Sequence, residues 1–269
     1  MSDADHTTTW GVGAYARMAE RLEDAAQRVV DRAAVTGHDQ VLDVACGTGN
    51  AALLAAKRGA RAVGVDFEPR LLALAKEQAE AAGVEVEWKL GDAAALPVRD
   101  GQCTVVLSVL GVMYAPDQSG AARELARVCA PQGRLGLVAW VPGSFMSAMG
   151  AALAPYLPPP PGGDPPARWG DEAALGALLS AAGVSLQETS RHHVALDFAD
   201  RDETVEFLVR TAGHVLAERR GLEIEGRWQD LLSGLGVLVD ERDEGAGDRV
   251  LLRLEYLLAL GVIDPHGVA

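Results

Sequence analysis

The chain contains three lysines, Lys57, Lys76 and Lys89, and this scarcity excludes more than any other feature. Lysine and arginine together number 24 against 38 acidic residues, for a net charge of −14. A protein that grips nucleic acid needs a basic stripe to neutralise phosphates. Here the arginines are scattered singly, apart from one Arg219–Arg220 pair, so no nucleic-acid substrate is expected. Cysteine is equally sparse. Cys46, Cys103 and Cys129 are odd in number and lack CxxC spacing, which fits a reducing compartment and argues against a zinc site. No metal is expected. No stretch reaches the roughly eighteen unbroken apolar residues of a membrane helix. The opening MSDADHTTTW lacks the apolar core of a secretion signal. The expectation is a cytoplasmic protein with no membrane partner.

What is present is a globular composition, 49% hydrophobic over 269 residues, enough for one sizeable core. The first half alternates strand and helix. Apolar strands are expected at Val41–Ala45, Arg61–Asp66, Val84–Leu90, Thr104–Val109 and Leu135–Trp140. Helices are expected at Asn50–Arg58, at Glu68–Ala82 with Gly83 as its C-cap, and from a Ser119 cap to Val128. Strands spaced by helices imply parallel units with right-handed crossovers.

The texture then changes. PYLPPPPGGDPP cannot be a helix or a central strand, because proline brings no amide donor, and residues 142–170 read as a Pro-rich loop. Asp171–Ala181 reads as a helix and Val184–Phe198 as extended chain. Residues 202–220 and 223–244 read as helices broken near Gly221. RVLLRLEYLLALGVI reads as a long closing strand. The expected fold is α/β: a Rossmann-like, doubly wound, seven-stranded, mostly parallel sheet with an antiparallel closing strand and a helical cap. We expect one domain over 1–269, with a helical lid (1–36), a cofactor-binding core (37–141), the Pro-rich loop and a cap insertion at about 201–246.

The chemistry is concentrated in VLDVACGTGN. Gly47, Gly49 and Ala52 satisfy G-x-G-x-x-A, a weak dinucleotide signature on its own. Asp43, four residues before Gly47, changes the reading. A carboxylate there would repel a pyrophosphate and would attract an ammonium group. Asp66 ends the next strand, where an acid can accept ribose hydroxyls or simply cap the following helix. Asp92, in GDAAALP, can accept from an adenine amino group or cap Ala93–Leu96. Adenine, ribose and an amino-acid cation without phosphate describe S-adenosylmethionine.

These motifs, with GVDFEP, GDAAALPVRDGQCTVVLSVLGVMYAP and RELARVCAPQGRLGLVAW, resemble the class I S-adenosylmethionine-dependent methyltransferases, in the small-molecule branch similar to the ubiquinone/menaquinone C-methyltransferases. The resemblance covers Val41–Trp140. It implies that Asp43, Ala45, Gly47 and Gly49 line the methionine part, Asp66 and Phe67 hold ribose and adenine, Asp92 and Ala93 hold the adenine edge, and Ser108 lies beside the cofactor. Ala45 replaces the family's first glycine. Thr104 stands where an acid is often found. The second half, which selects the acceptor, matches only loosely.

Rival chemistries lack their residues. No Tyr-x-x-x-Lys pair serves a nicotinamide oxidoreductase. SVLG replaces the tetrad of DNA amino-methyltransferases, and no cysteine follows proline as cytosine-C5 enzymes require. A methyltransferase fold that binds the cofactor but catalyses cyclisation stays open. Tyr15 is a candidate lid residue, and Met113 and Tyr114 are candidates to line the acceptor site. The adjacent His192 and His193 would point to opposite faces of a strand and cannot share a metal. His214 is the candidate general base, placed beside a face formed by Phe207, Leu208, Thr211, Val215 and Leu216 on one helix. A homodimer stays open. Arginine over lysine, with abundant alanine and glycine, suggests a GC-rich bacterial genome, where methylation in biosynthesis of specialised metabolites is common.

Overall fold

The computed structural model describes residues 9–159, 164–247 and 249–264. Seven strands form one sheet, in the order β3-β2-β1-β4-β5-β7-β6. They are β1 (Gln40–Val44), β2 (Arg61–Asp66), β3 (Val86–Leu90), β4 (Cys103–Val109), β5 (Cys129–Trp140), β6 (Val184–Phe198) and β7 (Val250–Ile263). β7 runs antiparallel to both neighbours, and the pairings among β1 to β5 are parallel. This is the expected sheet. Its strand order reverses between β1 and β4, the place where open α/β sheets bind ligands at the strands' carboxyl ends.

Ten α-helices pack around the sheet among the described residues: α1 (Tyr15–Arg21), α2 (Glu23–Arg32), α3 (Asn50–Lys57), α4 (Pro69–Ala82), α5 (Gln118–Val128), α6 (Phe145–Leu153), α7 (Glu172–Ala181), α8 (Arg201–Thr211), α9 (Gly213–Ile224) and α10 (Trp228–Arg242). Within the expected lid, α2 belongs to the core. Its Ala25, Ala26, Val29 and Val30 are fully buried, packed toward β4, β5 and α3. Among the described residues of that lid, the stretch from Trp10 to Tyr15 meets the carboxyl edge, with Trp10 against Tyr114 and Tyr15 against Gly47.

Several expectations need correction. Helix α5 starts from Asp117, not Ser119. The Asp117 carboxylate accepts from Gly120 N at 2.7 Å, and Gly120 has no side chain to block it. Strand β5 begins at Cys129, ahead of Leu135, because Cys129 pairs with Cys103 before an irregularity restores register at Arg134. The expected Pro-rich loop contains α6, capped by the Ser144 hydroxyl accepting from Ser147 N, and a 3-10 turn at Pro166–Gly170. Residues 160–163 of the proline run lie outside the described residues. The cap breaks at Ala212 and again at residues 225–227, and Gly221 lies inside α9. Thr104 has a structural task at the amino edge, donating to Asp39 Oδ1 at 2.8 Å and accepting from Gln40 N at 3.0 Å.

Two strained residues mark the strand reversal. Ala45 (φ +52°) follows β1 and Leu110 (φ +60°) follows β4. Both occupy the left-handed region that disfavours side chains. Gly111 fits between them, since a Cβ there would meet Ala45 O at 2.4 Å. Ala45→Gly is therefore expected to raise stability by about 1 kcal/mol, seen as a Tm increase of about 2–4 °C. An unchanged or lower Tm would show that the turn holds Ala45 without strain.

Candidate active site

The turn after β1 is built from its glycines. Gly47 (φ +55°) and Gly49 (φ +87°) both take positive φ, which glycine adopts without steric penalty. At Gly49 the space is closed as well, because a Cβ would lie 2.4 Å from the Trp88 ring. Trp88 on β3 also covers Gly64 of β2. The turn leads directly into α3.

Two buried carboxylates flank this turn. Asp43 is 2% exposed and Asp66 is 6% exposed. Asp43 Oδ2 accepts from Ala52 N in the first turn of α3 at 3.0 Å. Asp66 Oδ2 accepts from Gly47 N at 2.7 Å, and its Oδ1 accepts from Glu68 N at 2.9 Å. Burial, opposed by the Ala52 bond and reinforced by the Asp66 charge, pushes the Asp43 carboxyl up to about 7. Burial also raises Asp66, despite its backbone donors. Among the described residues no lysine or arginine compensates either group. Two buried acids without a cation are costly. Their position beside a glycine turn fits a positively charged ligand, and each Asp66 oxygen retains capacity for a further donor.

The loop after β3 lies beside them. Gly91 N donates to Asp66 O at 3.0 Å. Asp92 is exposed, and its Oδ1 accepts from Ala94 N at 2.8 Å. Ala93 is buried and Phe67 is half-buried. Arg127 staples this loop, donating to Leu96 O and Val98 O, while Glu124 accepts from Leu96 N at 2.7 Å. Ser108 is fully buried. Its hydroxyl donates to Val44 O at 2.7 Å and accepts from Val112 N at 3.1 Å, so it ties together the ends of β1 and β4.

Above the turn an aromatic cluster closes the carboxyl edge. The Tyr15 ring lies against Gly47, 3.3 Å from where a Cβ would stand. Burial raises its hydroxyl well above the ordinary value, with Asp66 the next cause. Trp10 lies 6.2 Å from Tyr15, 4.9 Å from Tyr114 and 5.6 Å from His214, centroid to centroid. Tyr114 ends the 3-10 turn after β4. It keeps 38% of its surface accessible, yet burial pushes its hydroxyl up to about 12, with Trp140 as its hydrogen-bond partner. Met113 is buried in the apolar core, and Tyr114 stays partly accessible.

His214 is the second residue of α9, and not the middle of a continuous helix as its face was read. The chain breaks at Ala212, where Thr211 folds its hydroxyl back to Phe207 O at 2.8 Å. Phe207, Leu208 and Thr211 therefore lie on α8, and Val215 and Leu216 on α9. The histidine still reaches the cluster. Its Nδ1 is buried with no partner, and burial lowers its pKa from the ordinary 6.5. Thr48 Oγ1 in the glycine turn is likewise buried without a partner. His192 and His193 lie far along β6, where His192 Nε2 meets Ser190 Oγ and His193 Nε2 meets Arg253.

Sequence reasoning did not assign Trp10, Glu68 or Gly213. Gly213 admits the N-terminal strand of chain, since a Cβ there would meet Thr9 O at 1.9 Å and Val12 O at 2.5 Å. A glycine opening a helix was the available signal.

Residues 41–133 match a family model described as a methyltransferase domain. An uncharacterized protein of Mycobacterium tuberculosis is 40% identical over 190 residues, 70% of this chain and 69% of that protein. The demethylmenaquinone methyltransferase of Thermus thermophilus is 42% identical over 118 residues, 43% of this chain and 54% of that protein. Among solved structures, the YcgJ protein of Bacillus subtilis superposes with a TM-score of 0.66 at 19% identity, covering 90% of this chain and 98% of that one. The [4+2]-cyclase SpnF superposes with a TM-score of 0.55 at 22% identity, covering 90% and 80%. At these identities the structural likenesses concern the fold alone.

Proposed function

The chain belongs to the class I S-adenosylmethionine-dependent methyltransferases, resembling the menaquinone enzymes, and on that premise we propose that it methylates a small-molecule acceptor, as a step in biosynthesis, by in-line displacement at the sulfonium methyl. The observation that carries this reading is the uncompensated pair Asp43 and Asp66 at the glycine turn, beside the aromatic cluster of Trp10, Tyr15 and Tyr114. When bound, S-adenosylmethionine supplies an electrophilic methyl group on a good leaving group. Asp43 would face its ammonium, and Gly47, Gly49 and the strained Ala45 would line its methionine part. Asp66 would accept from its ribose hydroxyls, with Phe67, Asp92 and Ala93 beside its adenine. Ser108 would hold the floor between β1 and β4.

Trp10, Tyr15, Tyr114 and His214 would exclude water from the reacting atoms. Apolar, aromatic surroundings at the methyl group would favour loss of the sulfonium charge during transfer. Holding the acceptor in line would supply much of the rate. His214 Nδ1, neutral and without a partner, would accept the proton when the attacking atom carries one. The covered carboxyl edge favours a small acceptor over a polymer.

The test follows methyl-labelled cofactor incubated with protein and bacterial extract. Label is expected in the low-mass fraction, with S-adenosylhomocysteine formed in equal amount. Label in protein or nucleic acid would overturn the small-molecule reading. Cofactor binding without S-adenosylhomocysteine would point to a cyclase-like role. At the cofactor site, Asp66→Asn is expected to weaken S-adenosylhomocysteine binding by about 1–3 kcal/mol, read by calorimetry. Asn keeps one acceptor oxygen and sets its amide group against the other backbone donor, whereas Ala strips the acceptor from both Gly47 N and Glu68 N. Unchanged affinity would leave Asp66 only its backbone role.

A further inference from the structure

Glu68 is 1% exposed, and its two carboxylate oxygens serve different parts of the chain. Oε1 accepts from Arg70 N at 3.2 Å and caps α4. Oε2 accepts from Gly11 N at 3.2 Å, 57 residues away in sequence. Glu68 N donates in turn to Asp66 Oδ1, and Asp66 Oδ2 accepts from Gly47 N. One hydrogen-bonded path thus runs from the glycine turn through Asp66 and Glu68 to the segment Trp10–Ala14. That segment is a strap. It carries Trp10 and leads into Tyr15, two rings of the aromatic cluster over the glycine turn.

Among the described residues, two further contacts tie the strap and α1 to α8. Ala14 N donates to Arg210 O at 2.8 Å, and Arg17 lies over the Phe207 ring at 5.9 Å. An open groove of about 870 Å³ between α8, α9 and α10 flanks it at Gly13 and Ala14. The fit at Gly11 is close: a Cβ there would meet Arg70 Cβ and Glu68 Cδ, each at 2.9 Å. Segments held by few bonds beside open space are the ones that open locally.

We propose that Glu68 is a positioning residue that couples cofactor occupancy at Asp66 to closure of the strap bearing Trp10 and Tyr15. This rests on the reading that Asp66 holds the cofactor's ribose. A ligand on Asp66 fixes the carboxylate that orients Glu68 N, and so fixes the acceptor that Gly11 N needs. Coupling of this kind is reciprocal: a closed strap must also retain the ligand. The carboxylate is required because two backbone donors meet it. A carboxamide offers one acceptor oxygen, and its amino group would oppose the second N–H.

The test uses the full chain with S-adenosylhomocysteine as probe, and reads amide hydrogen exchange and ligand dissociation. In the unmodified protein the ligand is expected to slow exchange across residues 9–18. Glu68→Gln removes the second acceptor. Gly11→Ala pushes the strap away from the other side and retains the Glu68 carboxylate that caps α4. Both variants are expected to lose the ligand-induced slowing and to release the ligand about tenfold faster, the worth of a hydrogen bond to a charged group. Exchange in β1 and β4 should stay unchanged. Combining the two substitutions should add little, since both break one contact. Strap protection preserved in both variants would overturn the proposal. An effect of Glu68→Gln that Gly11→Ala does not share would overturn it in favour of helix capping alone. If the unmodified protein binds no S-adenosylhomocysteine, the cofactor-site reading itself fails. If it binds with strap exchange unaltered, only the coupling fails.

Discussion

At pH 8, Asp43→Asn is expected to stabilise the ligand-free protein while weakening its hold on the cofactor. The Asp43 carboxyl is pushed up to about 7 in the folded chain, chiefly by burial, against an ordinary value of 3.8. The folded state therefore keeps a proton that the unfolded chain releases as pH rises from about 4. Because the native state binds more protons in that window, stability falls as pH rises through it and levels off above the folded value. One unit is worth about 1.4 kcal/mol, so the full penalty at pH 8 is on the order of a few kcal/mol. Asparagine is neutral throughout and can still accept from Ala52 N, the bond Asp43 makes at 3.0 Å. The variant should lose the pH 4–7 slope and melt higher at pH 8.

Binding should move the opposite way. Losing a charged partner for the ligand's ammonium should cost about 1.5–3 kcal/mol of affinity. In the unmodified protein, binding near pH 7 should release protons as the ammonium draws Asp43 into its ionised form. Calorimetry in buffers of different ionisation enthalpy measures that release directly. A variant less stable than its parent at pH 8 would show that Asp43 serves as a cap for α3 and carries no burial penalty. A site whose own residues oppose the stability of the empty protein is a common cost of function.

The cofactor half was legible because its constraints are local. Apolar strands buried on both faces leave runs of Val and Leu, and a turn with positive φ at Gly47 and Gly49 demands glycine. Asp43 and Asp66 were legible by position at strand ends. The long β7 was legible because an otherwise parallel sheet required a partner between β5 and β6. Helix α6 was hidden by the proline run that follows it, although Ser144 gave a capping signal. Asp117 and Ser119 are both good caps two residues apart, and the choice depended on whether Gly120 would admit a carboxylate.

The acceptor half was legible only in part. Its decisive contacts join residues far apart in sequence: Glu68 with Gly11, Trp10 with Tyr114 and His214, Thr9 with Gly213. No periodicity marks such pairs. The break at Ala212 was also invisible, because α8 and α9 together read as one amphipathic pattern. The cap was expected near the carboxyl edge, and His214 does meet Trp10 there. It meets it from the first turn of a new helix, α9.

His214→Ala is expected to lower kcat roughly 10²–10⁴-fold, the usual worth of a general base, with little change in cofactor affinity. The imidazole is half-buried and its Nδ1 has no partner. A buried polar nitrogen left unpaired costs stability, and it gains a partner when an acceptor hydroxyl, amine or acidic C–H is placed above the methyl group. Burial lowers its pKa below 6.5, so the neutral, proton-accepting form prevails at neutral pH. The rate should fall only as pH drops through that lowered value, and the acid limb should lie below 6.5. His214→Ala should remove the limb along with most of the rate. His214→Gln should not restore either, because an amide cannot take up the proton. If His214→Ala retains near-normal kcat and the same pH profile, the histidine is only a member of the aromatic cluster. Transfer then proceeds by placement alone, with Trp10 and Tyr114 holding an acceptor that has already lost its proton.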